Sequence, residues 1–296
     1  MPKRMMGSLM LLFGAMIWGA AFVAQSVGMD YVEPFTFQAC RSLLGSLVLL
    51  PVIAVMDKRG NAKKPTDAAS RKFLLRSGLI CGLFLFTATS LQQVGLLSTT
   101  AGKSGFITSL YIILVPIFGL FLKRRVGPWI WCSVLLALLG LYLLCGGGTF
   151  SIGIGELLTL GCAVAFSFHI MFIDHVSARV DGVRLSCIQF FVVAVISAIM
   201  MFLTETPDWN AIKQCWLPIC YAGILSSGVA YTFQIIGQAH TEPTVASLLM
   251  SLESVFAMVF GWIILKEALS GPELLGCGLV FAGVILAQLP EKKKSV

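Results

Sequence analysis

Charged side chains are scarce in this 296-residue chain: they make up 12% of it, 14 Asp and Glu against 21 Lys and Arg. A soluble domain carries about 25%. Half that share leaves too little polar surface to cover a globule in water, so a soluble domain is excluded. The nine cysteines contain no C-x-x-C pair, which argues against a thiolate zinc site or a disulfide framework. H-E-x-x-H and G-x-S-x-G are both absent, so two common hydrolase signatures are missing. Segments of about ten residues with alternating polarity, the mark of a membrane β-barrel, are missing as well.

Apolar sequence dominates instead. The chain is 57% hydrophobic, with a mean hydropathy of +0.91. A bilayer-crossing helix needs about 20 apolar residues. Charges, Pro and Gly divide the chain into ten such runs, near 6–28, 34–56, 73–95, 99–122, 128–146, 154–175, 184–204, 213–237, 243–265 and 272–289. The first follows Lys3 and Arg4 in the manner of a signal peptide, but its length makes it a retained span. The composition therefore implies an all-α membrane protein with the lipid bilayer as its principal surroundings.

The net charge of +7 sits in short loops, which explains it by topology and points away from nucleic acid. One alternating set of loops holds Lys3, Arg4, Lys58, Arg59, Lys63, Lys64, Arg71, Lys72, Lys123, Arg124, Arg125, Arg179, Arg184 and Lys292 to Lys294. The opposite set holds Lys213 and Lys266 beside Asp30, Glu33, Glu205, Asp208 and Glu267. The positive-inside rule then puts both termini in the cytoplasm, with the protein in the cytoplasmic membrane. Ten spans, an even number, satisfy that placement.

The chain also repeats itself. Residues 88–119 lie on 230–261, so that Ala88, Gln92, Gly95, Thr99, Ser109, Phe118 and Gly119 meet identical residues. Near the start of each half "ACRSLLGSL" lies on "CIQFFVVAV", which pairs Arg41 with Gln189. The expected units are 1–146 and 147–296, joined at the Gly-rich "CGGGTF" of 145–150. Five spans is an odd number, so the second copy enters the membrane from the other side. That is the inverted-repeat plan of secondary transporters, with a site between the halves near the midplane.

"GAMIWGAAFVAQ", "FTFQACRSLLGSLVLLP", "AGKSGFITSLYIILVPIFGLFLKRRVG" and "SLLMSLESVFAMVFGWIILKEALSGPELLGCGLVFAGVILA" occur in that order. Through them nearly the whole chain resembles the EamA-type transporters of the drug/metabolite transporter superfamily, as two EamA-like units. The resemblance implies ten helices around a central cavity and the transport of small metabolites such as amino acids. It implies no cofactor and no metal. Members often follow the ninth-span acid with Pro, whereas here Glu253 precedes Ser254.

Ionisable residues inside a span are costly and mark functional positions. Arg41 lies two turns below the acidic surface, Lys103 about one turn below it, and Glu253 near the midplane. Two cations above one acid suit an amino-acid-like zwitterion. The competing readings are a fixed pair of Arg41 with Asp30 or Glu33, Lys103 reaching for headgroups, and a structural Glu253. "AGKS" is no phosphate loop, since the first Gly such a loop requires would fall at Leu97. Gln92, Gln234, Tyr111, Tyr231 and Trp18 are further candidates for the substrate path. Pro116 is a hinge candidate, and His169, Asp174 and His175 could relay protons. The function expected is a secondary active exporter of small amino-acid-like or amphipathic compounds, working by alternating access and drawing on a solute, proton or other ion gradient. An intramembrane enzyme and a non-transporting receptor or scaffold are the alternatives.

Overall fold

The computed structural model describes residues 3–60, 63–99, 101–124, 126–144, 153–265 and 270–289. The joint at 145–150, Arg125, Lys266, Glu267 and Lys292 to Lys294 lie outside them. Every regular element among the described residues is helical. Among the described residues, nine spans are long and apolar enough to cross a bilayer, and the shorter Pro128–Leu144 makes the tenth.

The first three spans are α1 (Lys3–Met29), α2 (Pro34–Lys58) and α3 (Ala68–Gly95). The fourth is broken into α4 (Ala101–Ser109) and α5 (Tyr111–Phe121). Then follow α6 (Pro128–Leu144), α7 (Ile154–Ser177), α8 (Gly182–Thr204) and a short surface helix, α9 (Trp209–Gln214). The eighth span runs through α10 (Trp216–Cys220), a π-helical stretch (Tyr221–Ala230) and α11 (Tyr231–Gln238). The ninth is split into α12 (Pro243–Met250) and α13 (Leu252–Phe260), and α14 (Gly271–Gln288) closes the chain.

Local chemistry sets the helix starts. Pro34 and Pro243 open α2 and α12, where a missing N–H costs nothing. The carboxylates of Asp67 and Asp181 accept from the backbone N–H of Ser70 and Arg184. Ser270 and Glu273 form a capping box on α14. The N-terminus of α2 is capped from the other half of the chain. Glu205 accepts from Phe35 N and Thr36 N, each at 2.7 Å, while Glu33 accepts from Thr206 N at 3.2 Å. This reciprocal clasp ties the start of α2 to the end of α8.

The two halves pack as inverted copies. A Cβ on Gly7 of α1 would lie 2.9 Å from the carbonyl oxygen of Gly237 in α11. A Cβ on Gly155 of α7 would lie 2.9 Å from that of Gly95 in α3. Gly95 and Gly237 are repeat equivalents, and Gly7 and Gly155 open equivalent helices. The same close crossing is thus made once at each end of the bundle, as a two-fold axis in the membrane plane requires. Helix pairs α2–α8 and α6–α14 flank the remaining spans. Side chains such as Phe202 and Leu203, 68% and 73% exposed, face outward as lipid-facing residues do.

The two broken spans share a register. The fourth is interrupted at Leu110, whose N–H bonds three residues back to Ile107 O at 3.1 Å. The ninth is interrupted at Ser251, the repeat equivalent of Ser109. The Ser251 hydroxyl bonds back to Leu248 O at 2.8 Å and the Ser247 hydroxyl to Thr244 O at 2.8 Å. Such bonds compete for helix carbonyls and loosen the ladder.

Candidate functional site

Between the halves lies a cavity lined from both of them, among others by Trp18, Arg41, Tyr111, Tyr231 and Glu253. Most of its lining comes in repeat-related pairs. Thr89 and Tyr231, Gln92 and Gln234, Thr108 and Met250, and Tyr111 and Glu253 all line it, and each pair is 142 residues apart, as the Tyr111–Glu253 bond records. The matching that pairs Arg41 with Gln189 also pairs Trp18 with Phe166 and Phe22 with Ile170, and these four line the cavity too. The lining residues without a lining counterpart are Gln25, Arg41 and Ser226.

The deep wall carries the acid. Glu253 is 8% exposed and accepts from the Tyr111 hydroxyl at 3.0 Å. It stands one residue into α13, just past the break. Nearby, the hydroxyls of Ser109 and Ser254 lie 2.9 Å apart and join the fourth span to the ninth.

Arg41 supplies the cation. It is 6% exposed, donates to Gln25 Oε1 at 2.8 Å, and its guanidinium carbon lies 5.7 Å from the Phe37 ring centroid. Neither Asp30 nor Glu33 pairs with it among the described residues, and Glu33 is engaged in the clasp to Thr206. Arg41 and Glu253 form no salt bridge with each other. A buried charge without an ionic partner costs several kcal/mol, and among the described residues neither side chain has one.

The remaining candidates fall around these two. Trp18 meets Tyr231 edge to face at 4.8 Å, and Phe190 backs Tyr231 at 5.1 Å. Gln92 donates to Thr108 Oγ1 at 3.1 Å and Gln234 to Gln238 Oε1 at 3.0 Å. Trp18 Nε1 and Gln234 Oε1 are buried without a protein hydrogen-bond partner. Seven of the eight residues singled out from the sequence therefore line one cavity. The eighth, Lys103, lies on the first turn of α4, and its side chain is outside the described residues. Pro116 lies within α5, six residues beyond the break at Leu110. His169 bonds Gln189 at 3.1 Å behind Tyr231, and Asp174 pairs with Arg124 at 2.6 Å at the basic end; neither lines the cavity.

Sequence reasoning passed over Phe22, Thr89, Thr108, Phe166, Ile170, Ser226 and Met250. The repeat register held the signal for most of them. Once Tyr231 and Glu253 are singled out, the 142-residue offset points to Thr89 as well as Tyr111, and Thr108 and Met250 stand three residues before Tyr111 and Glu253 on the same helical faces.

Comparison with known proteins fits this architecture. The model of the EamA-like transporter family matches residues 5–146 and again 153–289. An uncharacterized transporter of Archaeoglobus fulgidus is 31% identical over 293 residues, covering 97% of this chain and 87% of the relative. The uncharacterized transporter YoaV of Bacillus subtilis is 22% identical and is matched over 100% of both chains. The uncharacterized inner membrane transporter YedA of Escherichia coli is 24% identical, over 95% of this chain and 92% of the relative. A protein crystal structure superposes with a TM-score of 0.78 over 95% of this chain and 96% of its own, at 23% identity, a likeness of fold.

Proposed function

The chain belongs to the EamA-like transporter family, and on that premise we propose that it is a secondary active exporter of small amino-acid-like or amphipathic metabolites, working by alternating access. The observation that carries this reading is the pair Arg41 and Glu253, buried on one cavity without an ion pair between them. A substrate carboxylate binds the Arg41 guanidinium, which presents a planar fork suited to that group. The substrate ammonium faces Glu253. Trp18, Phe22, Phe166 and Tyr231 receive the apolar part.

The sequence carries no nucleotide-binding motif, so transport draws on a solute, proton or other ion gradient. Glu253 is the residue best placed to carry a coupling proton, because it is titratable, buried and at the break of the ninth span. Both termini lie in the cytoplasm, and the protein resides in the cytoplasmic membrane.

Proteoliposomes loaded with a mixture of zwitterionic and anionic metabolites test the reading. Efflux of a zwitterion is expected from the wild-type protein and not from Arg41→Gln or Glu253→Gln. Chemical conversion inside the vesicles would indicate an enzyme, and neither efflux nor conversion a receptor or scaffold. Zwitterion efflux that survives both neutralisations would refute the binding mode.

A further inference from the structure

We propose that the basic end of the bundle carries a second binding site, away from the central cavity, for a phosphate anion presented by a lipid headgroup or free in solution. The site is an open hollow between the end of the α2–α3 loop, the first turns of α3 and the α7–α8 turn. Lys63, Lys64 and Arg179 line it together with one acid, Asp181, with Thr66 among the polar groups and Phe73 and Leu74 among the apolar ones.

Basic residues at this end are expected from topology alone. Three observations go further. First, the cations converge on one concavity from two halves of the chain. Lys63 Nζ donates to Ala178 O at 3.4 Å, so the loop of the first half touches the turn of the second.

Second, their charge is poorly answered. Lys64 lies 3.7 Å from Asp57, whose carboxylate is also engaged by Arg184. Arg179 has no carboxylate within ion-pair distance among the described residues. The nearby acids are committed elsewhere: Asp67 caps α3 through Ser70, and Asp181 caps α8 through Arg184 N at 2.9 Å.

Third, the floor is apolar. Phe73, Leu74 and Val180 belong to one packed cluster beneath the cations. A charged rim over an apolar floor at a span end matches the profile of an anionic lipid, phosphate above and glycerol or acyl chain below. A ligand held there would span a loop of each half and brace one against the other.

Native mass spectrometry of the full chain in detergent tests this, with phosphatidylglycerol, phosphatidylcholine and inorganic phosphate as probes. Phosphatidylglycerol adducts are expected to exceed phosphatidylcholine adducts about fivefold. The triple variant Lys63→Gln, Lys64→Gln, Arg179→Gln should lose most of that preference, while Lys123→Gln, a basic-end residue outside the hollow, should keep it. Adducts displaced by millimolar inorganic phosphate would identify the free anion as a competent ligand, and adducts that resist it the lipid. A preference retained in the triple variant, or lost equally in Lys123→Gln, overturns the proposal. All three side chains are exposed, so folding should tolerate their loss. Arg179→Gln alone, with the same readout and an expected partial loss, serves if the triple variant does not fold.

Discussion

Tyr111 and Glu253 hold the same place in the two halves, and they bond to each other. A phenol on one side and a carboxylate on the other turn a self-contact of the repeat into a polar pair at the midplane. Tyr111→Phe removes the one hydrogen-bond donor that reaches that carboxylate among the described residues, while keeping the ring. It should weaken apparent substrate affinity by roughly tenfold, equivalent to about 1.4 kcal/mol, read from the concentration dependence of transport in proteoliposomes. Unchanged affinity would remove Tyr111 from the site. Arg41 and Glu253 were legible as single residues because a charge inside an apolar run stands out. Their lack of ionic partners among the described residues was not. Asp30 and Glu33 lie close to Arg41 in sequence, but Arg41 turns to Gln25 and Glu33 turns to the backbone of the other half.

At the scale of elements, hydropathy located the spans well, since lipid imposes length and polarity on each helix separately. The breaks were harder to read. Pro116 drew attention, whereas the fourth span is interrupted at Leu110 and the ninth at Ser251, where no residue type announces it. The ten-residue π-helical stretch Tyr221–Ala230 is likewise silent in the sequence. It packs closely on α2, where a Cβ added to Gly45 would lie 2.6 Å from Ser227 Cβ. The clasp at the start of α2 is another tertiary device, and it can be tested alone. Glu205→Ala removes acceptors from Phe35 N, Thr36 N and the Thr36 hydroxyl. Losing a cap costs typically about 1 kcal/mol, so the thermal midpoint in detergent should fall measurably. A midpoint equal to wild type would show that water serves those donors as well.

For the whole molecule, the repeat made the architecture readable, because parity and matched spacing survive even where residue identities do not. It also points to a contact that the proposed alternating access would change. The Ser109 and Ser254 hydroxyls join the two broken spans beside the cavity at 2.9 Å. In a background stripped of native cysteines, Ser109→Cys with Ser254→Cys should cross-link on oxidation. Transport should then stop and return on reduction. Full transport by the cross-linked protein would mean that these two helices move as one body.

The paired lining of the cavity bears on energy balance between conformers. If the two halves exchange shapes during the cycle, the exchange remakes the same glycine crossings at the opposite end, so packing scarcely distinguishes the end states. Charge does distinguish them, because Arg41 is answered in the other half by the neutral Gln189. Glu253, answered by the neutral Tyr111, adds a second such asymmetry. An equilibrium that packing leaves close to level would then be tilted by two side chains, open to adjustment without redesign of the helices around them.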